Sequence, residues 1–216
     1  MAEPKVTVLT HPMVLEQLML ARDKRMNQVA FRRAIFRPGR LLAHEFPRTF
    51  ETQEFPIEPP LGRTTGYRIK GNDKTEIIMV LRASIPLFEG MYKERPKAKT
   101  GMISAWRDKA PKSPLEVKYA KIPDVHPDDV VIIADPMLAT GHTLVEVAKE
   151  VVEKGKPKRL VFFSVIAAKQ GIQYVIRAYP EAEFYTCAID PTLDEHGYII
   201  PGLGDAGDRA FDALED

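Results

Sequence analysis

Hydrophobic residues recur at two different periods along this chain, and the switch between them divides it into regions. From Thr10 onward, Val14, Leu15, Leu18, Met19 and Leu20 fall at helical spacing, and a second helical segment runs from Gln28 to Ala43, where Pro38-Gly39 is expected to interrupt it. Between Arg48 and Ile69 the pattern shortens to alternation broken by prolines and glycines, which predicts short antiparallel strands near a sheet edge. Apolar runs and amphipathic segments then take turns: strand 76–81, helix 86–93, strands 101–105 and 130–134, helix 143–152, strand 159–166, helix 170–178 and strand 183–189. Alternation of this kind predicts an α/β fold, a mostly parallel sheet flanked by helices on both faces, with ligands at the carboxyl ends of the strands. One region departs from the pattern. Residues 108–127 carry lysines and prolines without an apolar stripe, as expected of a long loop serving as lid or binding arm.

The run Val130-Val-Ile-Ile-Ala-Asp135-Pro-Met-Leu-Ala-Thr140-Gly-His-Thr143 is where the pattern meets chemistry. A buried strand ends in one acidic residue, and small and hydroxyl-bearing residues lead into a helix. Backbone N–H groups at such a turn and helix start would cradle a phosphate, and the hydroxyls of Thr140 and Thr143 add donors. Asp135 cannot serve an anion, but it can accept hydrogen bonds from sugar hydroxyls. Together these features suggest a ribose 5-phosphate. The run has neither the Gly-Lys-Ser/Thr ending of a Walker A loop nor the three spaced glycines of a dinucleotide fingerprint. The plain alternative is a strand-turn-helix without a ligand. A second unusual stretch, Gly197-Tyr-Ile-Ile-Pro201-Gly-Leu-Gly-Asp205-Ala-Gly-Asp-Arg209, is dense in glycine and aspartate, which frees the backbone to approach a ligand closely.

The first run resembles the phosphoribosyl pyrophosphate (PRPP) loop of type I phosphoribosyltransferases. Most of that family has a second acid where Pro136 stands, and the form Asp-Pro-Met-Leu-Ala-Thr-Gly is characteristic of the uracil branch. The glycine-rich stretch resembles the uracil-binding segment of the same branch, so the chain is identified as similar to uracil phosphoribosyltransferases, with an archaeal type in view. The resemblance implies a single phosphoribosyltransferase domain over residues 1–216, with a hood built from the terminal segments, a flexible β-arm at 107–127 and a uracil-binding segment at 190–216. It implies transfer of the phosphoribosyl group to uracil, giving uridine 5′-monophosphate (UMP) and diphosphate in pyrimidine salvage, with Mg2+ delivered by PRPP. PRPP would be held by Arg82, Arg107, Asp135, Pro136, Met137, Leu138, Ala139, Thr140, Gly141, His142, Thr143 and Asp205. Uracil would meet Tyr198, Ile199, Gly204, Asp205 and Ala206. Arg107 and Asp205 are the catalytic candidates. Arg82 lies in Leu-Arg-Ala-Ser, where many uracil enzymes have Leu-Arg-Ala-Gly, so Ser84 removes a permissive glycine. A guanidinium suits a leaving diphosphate because its fork binds phosphate bidentately and stays charged. For each arginine the plain alternative is a solvated surface charge, and for Asp205 a turn-forming aspartate.

Composition narrows the picture further. The chain has 216 residues, and 31 Lys and Arg nearly balance 30 Asp and Glu, so its net charge of +1 gives no field that points to nucleic acid or membrane partners. Its one cysteine, Cys187, excludes an internal disulfide and reads as a small core residue rather than a nucleophile. The longest apolar run, near residues 160–168, is too short to span a bilayer, and the first residues lack the order of a signal peptide. A cytoplasmic enzyme fits. The densest basic cluster, Lys24-Arg25 and Arg32-Arg33 with Arg37 and Arg40 beyond, reads first as an exposed helix face or a subunit contact. The resemblance adds a second option, a GTP effector site over Ala30, Phe31, Arg32, Arg33 and Ala34, in an allosteric homo-oligomer, either dimer or tetramer. Two other readings stay open: a phosphoribosyltransferase for another base, and the RNA-binding regulator of pyrimidine operons that shares the fold. Near-neutral charge and Asp135-Pro136 weigh against the regulator, which should show a basic face and a two-acid loop.

Overall fold

The computed structural model describes residues 5–107 and 115–211, with only the backbone of 106, 107, 115 and 116. The chain opens with strand β1 (Lys5–Val8), helices α1 (Pro12–Arg22) and α2 (Gln28–Glu45), and the hairpin β2 (Thr52–Ile57) and β3 (Thr64–Ile69). Strand β4 (Thr75–Leu81), helix α3 (Ile85–Glu94), and strands β5 (Lys99–Arg107) and β6 (Leu115–Lys121) follow. Next come β7 (Val130–Ala134), β8 (Met137–Leu138), α4 (His142–Lys154), β9 (Arg159–Phe163), β10 (Ile166–Ala168) and α5 (Lys169–Ala178). The chain continues through β11 (Glu183–Thr186), β12 (Ala188–Asp190), β13 (Thr192–Leu193), β14 (Ile199–Ile200) and α6 (Ala206–Phe211).

The main sheet has the order β1-β11-β9-β7-β4-β5-β6 among the described residues. All its pairings are parallel except β5 with β6. Because successive side chains alternate across a strand, Ile132 and Ile133 on β7 enter cores on opposite faces. One core packs the sheet against α1, α2, α3 and α6 through residues such as Phe31, Leu42, Leu87 and Phe163; the other packs it against α4 and α5 through Val147, Val151, Ile172 and Phe162. Strands β4, β7 and β9 are apolar almost throughout because helices cover both faces.

Four expectations change on contact with the structure. Helix α2 runs unbroken through Pro38-Gly39, and both residues are buried. A Cβ at Gly39 would strike the Leu87 carbonyl, and one at Gly90 would strike the Phe36 carbonyl, so the two glycines let α2 and α3 pack at backbone contact and that packing carries the helix past its proline. Residues 115–121, whose pattern reads as loop, form β6 antiparallel to β5, in keeping with the two-stranded arm that the resemblance implies, while 108–114 lie outside the described residues. Strands expected over 159–166 and 183–189 each break, and their second halves join Met137–Leu138 in a small sheet of order β12-β10-β8. Strand β1 was not anticipated, because Lys-Val-Thr-Val is too short to carry a period and is fixed only by pairing with β11. The expected antiparallel pair is present as β2 and β3, which form a sheet of their own.

Candidate active site

The strand order reverses between β4 and β7: the chain grows outward from β4 to β5 on one side and from β7 to β9 and β11 on the other. A crevice opens at the carboxyl ends of such a strand pair. Arg82 follows the last residue of β4 and Asp135 the last residue of β7, so the two stand on opposite lips.

The 135–143 loop is shaped by Asp135, whose Oδ1 accepts from the Met137 N–H at 3.1 Å. The Pro136 carbonyl accepts from the N–H groups of Val165 and Ile166 at 3.0 and 3.1 Å, and Met137–Leu138 pair with β10. Those backbone groups are committed to the fold, so an anion would find its donors later, from Ala139 to Thr143. Gly141 takes a left-handed conformation, φ 85°, at the start of α4. The loop lies on α5 so closely that a Cβ at Gly171 would strike the Ala139 carbonyl. Helix α4 begins one residue earlier than expected, and its first N–H groups have no partner within the helix. The exposed His142 ring also takes part. Its Nδ1 lies 3.0 Å from the Thr140 hydroxyl and its ring packs on Tyr174 at 4.3 Å between centroids.

The C-terminal stretch comes back to this crevice. Gly197 approaches within 3.5 Å of the Thr140 methyl group, measured from the position a Cβ would take. Its turn is held by Asp194, whose Oδ1 accepts from the N–H groups of His196 and Tyr198 at 2.9 and 2.8 Å. Ile199 is buried and Tyr198 half exposed. The Ile200–Pro201 bond is cis, as is Leu81–Arg82. Gly202 and Gly204 have φ 62° and 72°, both in the left-handed region where glycine alone is unstrained. Ala206 is buried, whereas Gly204 is open.

Asp135 and Asp205 are close enough to repel, and burial with that repulsion pushes the Asp135 carboxyl up to about 7. Asp205 also caps α6, its Oδ1 accepting from Asp208 N–H at 3.0 Å, so the turn-forming role is real whatever else the residue does. Arg82 leans toward Asp208, 4.0 Å away, with its side chain more than half exposed. Ser84 sits at φ −79°, a conformation open to any residue, so its side chain imposes no strain on the Arg82 loop. The Arg107 backbone ends β5 three residues beyond the Leu81–Ser104 pair; its side chain lies outside the described residues. Among the described residues no group of three or more His, Cys, Asp or Glu side chains could hold a metal. Two neighbouring hard carboxylates, one of them destabilised as an anion, do fit a magnesium ion that arrives with a diphosphate and keeps waters of its own.

Sequence reading missed the braces of the site: Gly171 and Tyr174 under the 135–143 loop, and Arg22 and Asp190, which bind each other and Gly202. Arg22 gives no local signal, since a basic residue in the last turn of a helix is ordinary. The residues expected at an effector site, 30–34, differ in exposure. Phe31 and Ala34 are fully buried, and Arg32 already donates to the carbonyl of Ala210 and to Gln28, leaving Arg33 as the exposed cation among residues 30–34. Exposed Arg37 instead lines a cavity of about 660 Å³ with Arg40, His44 and Glu94. Cys187 is buried with its thiol pushed up to about 12, in keeping with a core residue. No helix among the described residues is long and apolar enough to cross a membrane.

Comparison with known proteins agrees with this geometry. The family model for uracil phosphoribosyltransferase matches residues 8–213. The chain is 48% identical over 202 residues to the uracil phosphoribosyltransferase of Thermococcus gammatolerans, covering 94% of this chain and 90% of that one. It is 44% identical over 207 residues to that of Pyrobaculum islandicum, covering 95% and 98%. The solved structure of the AQ2163 protein from Aquifex aeolicus superposes with a TM-score of 0.87 at 27% identity, over 95% of this chain and 97% of that one.

Proposed function

Because the chain belongs to the uracil phosphoribosyltransferase family, it is a phosphoribosyltransferase, and we propose that it moves the phosphoribosyl group of PRPP to N1 of uracil, releasing diphosphate and UMP for pyrimidine salvage. The observation that carries this reading is the meeting of two distant stretches, 135–143 and 197–206, at one crevice between β4 and β7.

The reaction breaks the C1–O bond of the sugar while the C1–N1 bond forms, and the N1 proton of uracil is given up to solvent or to the departing diphosphate. Positive charge grows on the ribose and negative charge on the departing diphosphate, so the protein's task is to orient and to stabilise charge rather than to supply a nucleophile. In this reading the N–H groups of 139–143 and the hydroxyls of Thr140 and Thr143 hold the 5-phosphate. Asp135 accepts from ribose hydroxyls, contacts that favour its ionised form. Arg82 turns from Asp208 to the diphosphate. Arg107 does the same from the end of β5, an assignment supported by its strand position and the family likeness. Magnesium arriving with PRPP would ease charge build-up on the leaving diphosphate, and Asp205 would be the carboxylate that accepts from its waters. The backbone of Ile199 and 204–206 offers N–H and carbonyl groups to the O2, N3–H and O4 edge of uracil, with Tyr198 beside them.

Cytosine presents an acceptor and a donor where uracil presents a donor and an acceptor. Each buried mismatch costs about 1–3 kcal/mol, so cytosine should be rejected strongly. The test is competition between uracil and cytosine for limiting PRPP with magnesium: UMP should dominate, and comparable yields of the two nucleotides would overturn the assignment of the base. GTP activation, a homo-oligomeric enzyme and a cytoplasmic location belong to the same proposal. Support for the effector is the Arg37–Arg40 cavity, whose size suits a nucleotide.

A further inference from the structure

Arg22, at the end of α1, and Asp190, at the end of β12, meet in a two-pronged ion pair: Nη1 to Oδ2 at 2.8 Å and Nη2 to Oδ1 at 2.6 Å. The aspartate is almost fully buried. Both partners then grip a single residue of the glycine-rich stretch. The Gly202 N–H donates to Asp190 Oδ2 at 2.9 Å, and Arg22 Nη1 donates to the Gly202 carbonyl at 2.8 Å. The neighbouring Leu203 carbonyl accepts from Arg209 Nη1 at 2.7 Å. Arg209 is itself fixed, donating to the carbonyls of Ala21 and Asp23 at the end of α1 and lying 4.2 Å over the Phe31 ring. Gly204 comes next and is exposed, a Cβ there meeting the Arg209 side chain at 3.4 Å, and Asp205 is held in turn at the start of α6, its Oδ1 accepting from the Asp208 N–H and its carbonyl from the Arg209 N–H.

We propose that Arg22 and Asp190 are positioning residues for base recognition: by holding both polar groups of Gly202 they set the direction in which the following backbone, 204–206, presents its edge to the base. This rests on the uracil-reading role given to that backbone above. An ion pair taken out of water adds little net stability over apolar packing, but its paired hydrogen bonds fix direction. Holding α1 to β12 alone would not require bonds to both the N–H and the carbonyl of one loop residue. Gly202 takes φ 62°, and a Cβ there would strike the Ile199 carbonyl, so the clamped peptide has one available seat.

The test compares Asp190→Asn, Arg22→Lys and the double variant in steady-state assays with uracil, PRPP and magnesium. Each single variant should raise the KM for uracil by ~10-fold or more and narrow the preference for uracil over cytosine, while the KM for PRPP stays within about two-fold. The double variant should lose little beyond the worse single one, because the pair acts as a unit. An unchanged KM for uracil, an equal rise in both KM values, or additive losses would overturn the clamp while leaving the function intact. A parent enzyme that makes no UMP would overturn the function, and the clamp with it. Should Asp190→Asn fail to fold, Arg22→Lys decides alone, since lysine keeps the charge but lacks the planar fork that meets both Asp190 oxygens with separate nitrogens and so fixes direction.

Discussion

At Asp135 the fold holds a carboxyl near pKa 7 against an ordinary value of 3.8, through burial and the nearby Asp205. The folded chain therefore keeps a proton that the unfolded chain has already released, and folding becomes less favourable as pH climbs from about 4 to about 7. Asp135→Asn should remove that penalty. Urea titrations near pH 8 should find the variant more stable than the parent by roughly 1–3 kcal/mol, less than the full shift implies because the site is partly solvated, and the gain should vanish near pH 4. Activity should fall at the same time, since an amide cannot replace a carboxylate as acceptor for two sugar hydroxyls. A variant no more stable than its parent near pH 8 would show that Asp135 is not desolvated. At this scale much was legible. Asp135, Thr140 and Gly141 announce themselves by residue type beside an apolar run, whereas Arg22 and Asp190 gain meaning only from each other, 168 residues apart.

Between elements, the contact that most directly shapes the 135–143 loop, the proposed phosphate loop, is the one with α5. In a free helix, replacing glycine by alanine gains up to about 1 kcal/mol. At Gly171 the sign should reverse, because the new methyl group would meet the Ala139 carbonyl and crowd that of Leu138. Gly171→Ala is expected to cost roughly 1–3 kcal/mol in chemical denaturation and to raise the KM for PRPP more than that for uracil. A neutral or stabilised variant would mean that the loop yields freely and that α5 does not shape it. The same kind of contact explains where local pattern misled. Pro38-Gly39 carries the signature of a helix break, yet close packing with α3 at Gly39 and Gly90 outweighs it. Residues 115–121 have little stripe because, of the described side chains 117–121, Val117 alone packs against a core and the others are exposed.

For the molecule as a whole, the proposed effector site and the active site meet through α2. Phe31 lies under Arg209, Arg32 holds the Ala210 carbonyl, and Arg37 lines the cavity beyond them on the same helix. If GTP binds there and favours the active form, linkage requires that PRPP tighten GTP binding by the same factor. Calorimetry should show GTP binding roughly 5-fold or more tighter with PRPP present, and Arg37→Ala should abolish it. No heat of GTP binding in either condition would end the proposal. The sequence by itself determined the alternating strands and helices, the loop chemistry after Ala134 and the small, flexible backbone of 197–209, because each is written in neighbouring residues and in periods of two or 3.6. The tertiary structure alone decided that β4 lies beside β7, that Asp205 stands near Asp135, and that two arginines pin the glycine-rich stretch to the end of α1. Those are pairings between residues far apart in the chain, selected by the packing of the two cores and by the need to satisfy buried polar groups, which local periodicity does not encode.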